Sequence, residues 1–243
     1  MREPMAMAEA LAVQQRILMR IGAVCAIVGP LILLASFAPH GDLPTHVSTE
    51  AALRYIVDHP IWLPLHLGNI VAALFAIGAF TALAGTLAPG AAGAIGRMLV
   101  PSAIVGGMFT IFDYSVDGYD LWVLAEEWAA APGPEQTQLV QMTDTVITLL
   151  NGTFRSEILV FYGLTFLLAG LAVAFDGRYP AWFGGIAAIA GGAVLLNGLL
   201  SFVGASLPRQ DFLVFVVIVP IESLWLLILG VLMWRRANWI GAA

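Results

Sequence analysis

Acidic side chains are concentrated in one stretch of this chain, directly after an apolar run. Residues 98–112 read MLVPSAIVGGMFTIF, and DYSVDGYDLWVLAEEW follows without a break signal. Asp113, Asp117, Asp120 and Glu127 are spaced i, i+4, i+7 and i+14, so one continuous helix would carry them on one face. Carboxylates in this arrangement can bind a cation or relay protons at the point where an apolar helix leaves a membrane.

Other polar side chains interrupt the remaining apolar segments. A charged group in the hydrocarbon core costs about 2.5 to 3.5 kcal/mol on insertion scales, so each one is a functional candidate. Counting residues from the segment ends places these side chains toward one end of the chain's helices, around an outward-facing cavity. The predicted ligand or ion pathway consists of His66, Asn69, Asp113, Asp117, Arg155, Glu157, Asn197 and Glu222. Arg155 is the expected counter-ion for Asp113 or Glu157.

A metal site is one interpretation of this group. His66, Asp113 and Asp117 would supply one imidazole and two carboxylates, which suit zinc, manganese or iron. The spacing signal is weak, because the chain has no HExxH motif and no histidine pair on one helix. The other histidines, His40, His46 and His59, are interpreted as loop residues. A divalent metal is the one cofactor that the sequence suggests.

Three functions remain open on these residues. The favoured one is binding or transport of a small solute or ion through the outward-facing polar cavity. The second is a metal-dependent intramembrane enzyme with an outward-facing His/Asp site, and the third is an accessory structural subunit of a membrane complex. For the third, the Gly/Ala face of residues 184–198 is the predicted surface for a membrane-protein partner, since small residues let membrane helices approach closely.

Composition defines the class of protein that must position these side chains. Of 243 residues 60% are hydrophobic and 11% are charged, and the mean hydropathy is +0.91. These values predict an all-α, multi-pass membrane bundle that contacts the lipid bilayer. Cys25 is the only cysteine, which excludes an intramolecular disulfide and a cysteine metal cage. The formal net charge of −6 argues against a nucleic-acid partner.

Hydropathy divides the chain into one membrane domain of six spans. Each apolar stretch is long enough to cross a hydrocarbon core of about 30 Å. Ser48 is a plausible N-cap for a helix over 49–58, and a further amphipathic helix is expected from 135 to about 150, ending at Asn151-Gly152. Pro220 is expected to distort the last span. The predicted spans are 17–38, 62–87, 98–118, 157–175, 181–205 and 212–234, and residues 39–61 and 119–156 form an outer cap.

Basic residues predict the orientation. Seven arginines fall on one side of the predicted spans and three on the other, which predicts cytoplasmic N- and C-termini by the positive-inside rule. The larger group is Arg2, Arg16, Arg20, Arg97, Arg178, Arg235 and Arg236, and the smaller group is Arg54, Arg155 and Arg209. Six tryptophans near the predicted boundaries are interpreted as interfacial anchors: Trp62, Trp122, Trp128, Trp182, Trp234 and Trp239.

Three segments carry a family resemblance. They read RIGAVCAIVGPLILL in the first span, TEAALRYIVDHP after it, and FYGLTFLLAGLAVAFDGRYPAWFGGIAAIAGGA later. With these segments the chain resembles bacterial six-span membrane proteins of uncharacterised function, over most of its length outside residues 113–150. The resemblance implies the fold and a bacterial inner membrane, and it supplies no catalytic residue.

Overall fold

The described residues are predominantly helical, as the composition predicts. The computed structural model describes residues 2–41, 43–205 and 214–240. Within them the chain forms seven continuous helices and no strand. Six of these helices are long and apolar enough to cross a membrane. The predicted turn that contains Arg209 and the predicted start of the sixth span at residue 212 lie outside the described residues.

The helices are numbered in chain order. Helix α1 is Arg2–Phe37, α2 is Thr49–Val57 and α3 is Trp62–Thr86. Helix α4, Ala91–Ser115, continues through the π-helical segment π1, Val116–Asp120, into α5, Leu121–Ala130. Helix α6, Gly133–Glu157, continues through π2, Ile158–Thr165, into α7, Phe166–Asp176. Helix α8 is Ala181–Phe202, and π3, Val214–Ile218, leads into α9, Val219–Trp239.

Two of the continuous helices are much longer than a membrane is thick. Ala91–Ala130 has 40 residues and Gly133–Asp176 has 44, which at about 1.5 Å per residue gives lengths of about 60 and 66 Å. The hydrocarbon core needs only about 30 Å, so both helices project beyond it. The predicted separate cap helix ending at Asn151-Gly152 is therefore wrong, because α6 passes through both residues and continues as the span.

The projecting ends of these helices pack against α2 and form the cap. Its core consists of buried side chains from α2, the start of α3 and α5, namely Leu53, Ile56, Trp62, Leu121, Leu124 and Ala125. The predicted N-cap of α2 is confirmed, since Oγ of Ser48 accepts a hydrogen bond from the amide of Ala51 at 3.1 Å. The cap thus covers the end of the bundle where α3 begins.

Within the bundle, α1 packs against α3 and α9, and α4 packs against α3 and α7. Close backbone packing joins α7 to α8. A Cβ atom at Gly170 would lie 2.6 Å from the Gly184 carbonyl oxygen, and one at Gly191 would lie 2.7 Å from the Gly163 carbonyl oxygen. The face proposed for a membrane-protein partner is therefore occupied by the protein itself. This corrects the sequence-based interpretation of residues 184–198, whose small side chains serve internal packing.

Pro220 lies at the junction between π3 and α9. Proline has no amide hydrogen and its ring clashes with the carbonyl four residues earlier, so regular α-helix cannot run through this position. The π-helical turn before it shows the predicted distortion of the last span. Glu222 follows on the buried face of α9.

Candidate metal centre

Two histidines and one aspartate converge between the cap and the outer end of α3. His66 lies one turn inside α3 and only 2% of its side chain is exposed. Its Nδ1 lies 2.8 Å from the backbone carbonyl of Trp62. A carbonyl oxygen can only accept, so this contact assigns the ring hydrogen to Nδ1 and leaves the lone pair of Nε2 available as a ligand.

His40 reaches the same point from the turn that follows α1. Its Nδ1 lies 3.0 Å from the carbonyl of Gly41, which again leaves Nε2 as the acceptor. Gly41 has a φ of +70°, and a Cβ atom there would collide with the hydroxyl of Tyr55. The same hydroxyl donates to the carbonyl of His40 at 2.8 Å. The glycine conformation and the tyrosine together fix the His40 backbone.

Asp117 is the third member and lies in π1. Trp62 holds this segment, because its indole Nε1 donates to the carbonyls of Asp117 and Gly118 at 3.2 and 3.1 Å. π-Helical turns widen the backbone and are frequent at functional sites. Gly118 permits the close approach of π1 to α3, since a Cβ atom there would lie 2.7 Å from Cγ of His66.

The three candidate ligand atoms lie close to the corners of one face of a tetrahedron. Nε2 of His66 is 3.0 Å from Oδ2 of Asp117 and 3.2 Å from Nε2 of His40. Nε2 of His40 is 3.9 Å from the same Oδ2. A tetrahedral zinc site with bonds of about 2.0 to 2.1 Å has ligand atoms about 3.3 Å apart. Two of the three separations therefore match a zinc-sized ion within about 0.3 Å, and the separation between His40 and Asp117 is about 0.6 Å longer.

Electrostatics keep the site suitable for a metal. Burial lowers the pKa of His40 from its ordinary value of 6.5, and the nearby His66 also lowers it, while the Gly41 contact and Asp117 raise it. At neutral pH His40 is thus predominantly neutral, which is the form that binds metals. The Asp117 side chain is 23% exposed, so the cluster reaches the surface of the protein.

The predicted metal triad is partly reproduced. His66 and Asp117 come together as expected, but the third residue of the cluster is His40 and not Asp113. The π1 segment changes the helical phase between the two aspartates, so the predicted single carboxylate face is interrupted. Asp113 is buried and accepts a hydrogen bond from the hydroxyl of Thr153, whereas Asp120 and Glu127 are exposed.

Sequence reasoning missed His40 and misjudged Trp62. His40 lies in a turn, as the sequence predicts, but its spacing gives it no role at the site; the available signal is its place in the Pro39-His40-Gly41 segment directly after a span. Trp62 is predicted to be an interfacial anchor, but it is buried and lies beside both imidazoles in tilted contacts, with ring centroids 4.8 Å from His40 and 4.4 Å from His66.

The remaining predicted site residues lie elsewhere in the bundle. Within the described part of the chain, Arg155 forms no ion pair with Asp113 or Glu157, and it donates instead to the carbonyl of Ser201 at 3.4 Å. The predicted counter-ion role of Arg155 is therefore wrong for these residues. Asn69, Glu157 and Glu222 are buried outside the triad, each 1% exposed, and Asn197 lies on α8.

Comparisons with known proteins add no relative. No family model, no curated protein and no solved structure matches this chain. The function is therefore argued from the residues of the site.

Proposed function

We propose that this protein binds a divalent transition metal ion of the zinc class at the outer end of its membrane bundle. One observation carries the proposal: Nε2 of His40, Nε2 of His66 and Oδ2 of Asp117 converge, and both imidazoles have their Nδ1 engaged with backbone carbonyls. A single proton can bridge only two of the three acceptors. A metal ion binds all three at once.

The ligand set indicates which ion the site binds and how the protein could use it. Two imidazoles and a carboxylate suit zinc and its neighbours better than calcium or magnesium, which prefer oxygen alone. Three protein ligands leave a fourth position open to water or to a passing ligand. With Asp117 partly exposed, the ion can exchange with the outer side. Binding or transport of this ion is accordingly the function that the site supports best.

A metal-dependent enzyme is the second candidate, and an adjacent groove favours it. The groove has a volume of about 800 Å³ and lies between α1, α3 and α4. Its lining is mostly apolar, and His66, Tyr114 and Gly118 lie at its border with the metal centre. A metal-bound water at the open position would be able to attack an ester or amide whose apolar chain occupied the groove.

We also propose where the protein lies in the cell. We place the protein in a bacterial inner membrane with both termini cytoplasmic, on the strength of the arginine distribution and the family resemblance. The turn between α1 and α2 lies at the opposite end of α1 from the N-terminus. In this orientation the metal centre faces the non-cytoplasmic side.

Metal content of purified variants tests the proposal. The detergent-purified protein, loaded with zinc and passed through a desalting column, is expected to retain close to one zinc per chain by inductively coupled plasma mass spectrometry. His40→Ala, His66→Ala and Asp117→Asn should each lose most of this metal. Asp113→Asn is the matched control and should retain it, because Asp113 lies outside the triad.

The control also separates two interpretations. Zinc lost from Asp113→Asn and retained by His40→Ala would overturn the proposed ligand set in favour of the one predicted from sequence. A wild-type protein that retains no zinc would overturn the metal proposal altogether. Circular dichroism of each variant distinguishes loss of metal from loss of fold.

A further inference from the structure

A second polar site lies inside the bundle, away from the metal triad. A cavity with about 30 Å³ of room for the centres of water molecules is lined by α1, α3, α4, π2, α7 and α9. One water needs about 10 to 15 Å³ of such space, so the cavity holds two or three small particles. Most of its wall is apolar, and five polar side chains face it: Asn69, Thr110, Tyr162, Glu222 and Ser223.

Two of these side chains have polar atoms without protein partners. Glu222 is 1% exposed, and neither of its carboxyl oxygens forms a hydrogen bond to the described residues. Asn69 is also 1% exposed, and neither its side-chain oxygen nor its nitrogen is paired there. Burying a polar group without a partner costs about 1 to 3 kcal/mol in proteins, and more for a charge. Two such groups lining one cavity point to a ligand between them.

The charge and chemistry of the lining select the ligand. Among the described lining residues, Glu222 is the sole carboxyl and no basic side chain is present. A monovalent cation bound to its carboxylate leaves the site neutral, whereas a divalent ion would leave a net positive charge among apolar side chains. Hard cations prefer oxygen ligands, which the amide of Asn69 and the hydroxyls of Thr110 and Ser223 also supply.

The helix geometry supports an ion at this depth. Pro30 lies inside α1 and lines the cavity, and Pro220 lies two residues before Glu222. Both prolines interrupt the regular hydrogen bonding of their helices. In membrane carriers, interrupted helices that border a cavity are where small coupling ions bind, since irregular backbone is tolerated there.

We propose that this cavity is a binding site for one monovalent cation of the size of Na⁺, held by the Glu222 carboxylate and the Asn69 side-chain oxygen. The proposal does not rest on the metal centre, because the two sites share no residue. Glu157 lies next to the site without lining it, beside the hydroxyls of Thr110 and Tyr162.

Sodium-dependent thermal unfolding of the full-length detergent-purified protein tests the proposal. The unfolding temperature is measured with EDTA present, in increasing NaCl, with choline chloride added to hold the ionic strength constant. A saturable rise with NaCl is expected. Glu222→Gln and Asn69→Leu should each weaken the apparent Na⁺ affinity at least ten-fold. Glu127→Gln is the matched control, since it removes an exposed carboxylate and should leave the response unchanged.

Two further measurements complete the test. Asp117→Asn should keep the full Na⁺ response, which makes failure at this cavity distinguishable from failure at the metal centre. Equilibrium binding of ²²Na⁺ should approach one ion per wild-type chain. A wild-type protein that shows no Na⁺-specific rise and retains no ²²Na⁺ would overturn the proposal, as would a Na⁺ response that persists in both Glu222→Gln and Asn69→Leu.

Discussion

Replacing Gly118 with alanine should perturb the proposed metal centre without replacing any of its ligands. The added Cβ atom would lie 2.7 Å from Cγ of His66 and closer still to its Cβ. Non-bonded carbon atoms prefer a separation of about 3.5 to 4.0 Å, so π1 and α3 must separate by about 1 Å. The nearest atoms all belong to the His66 side chain, and its Cβ is bonded directly to the α3 backbone, so a rotamer change cannot move it away.

That separation is large compared with what the metal centre tolerates. Nε2 of His66 and Oδ2 of Asp117 are 3.0 Å apart, and they lie on the two elements that must separate. Loss of positioning around metal ligands typically lowers metal affinity about 10- to 100-fold, which equals about 1.4 to 2.7 kcal/mol. Overpacking of a well-packed site also destabilises the fold by about 1 to 3 kcal/mol.

The assay compares two glycine variants. Zinc affinity is measured by competition with a chromophoric chelator, and stability by thermal unfolding of the metal-free protein. Gly152→Ala is the control, because Gly152 is exposed on α6 with no atom within 4 Å of an added Cβ. It should bind zinc normally and gain up to about 1 kcal/mol, since alanine favours helix over glycine. Wild-type zinc affinity in Gly118→Ala would refute the reasoning.

Three further predictions follow from individual contacts. Trp62→Phe removes the indole donor to the carbonyls of Asp117 and Gly118, and should destabilise the protein by about 1 to 3 kcal/mol and lower zinc affinity; unchanged values for both would contradict the role assigned to Trp62. Gly191→Ala should lower the free energy of unfolding by about 1 to 3 kcal/mol because α7 and α8 touch there, whereas Gly185→Ala, with open space at the added Cβ, should not. Because burial lowers the pKa of His40 from 6.5, folding favours its neutral form; this contribution is complete above that value and is lost as the pH falls through the lowered pKa. The metal-free protein should therefore lose stability on acidification, and His40→Gln should lose less; equal losses in the two proteins would count against this account of His40.

Much of the fold follows from the sequence for a simple physical reason. Backbone polar groups in lipid must be paired internally, so a long apolar stretch has to be a helix. The six spans are therefore predictable. The Ser48 N-cap is predictable for a different reason, because serine is a preferred residue at the N-cap position. Asn69 and Glu222 are also predictable as candidates, because placing a polar group in an apolar span costs free energy. Such a residue is therefore a functional candidate at any position in the span.

The cluster proposed as a metal centre is less predictable, because it depends on backbone irregularity and on long-range placement. No residue preference marks π1, yet this segment moves Asp117 out of phase with Asp113. His40 is 26 positions from His66, and it reaches the site only because α1 packs along α3 and the cap fixes the turn after α1. The spacing of neighbouring residues in the sequence predicts neither the π-helical turn nor the contact between His40 and His66.

The most direct test of the metal centre is X-ray absorption spectroscopy at the zinc edge of the zinc-loaded protein. The account predicts about two imidazole ligands and one carboxylate oxygen with bonds of about 2.0 to 2.1 Å, and one imidazole fewer in any His40→Ala protein that still holds zinc. A spectrum with one imidazole in the wild type, unchanged in His40→Ala, would contradict it.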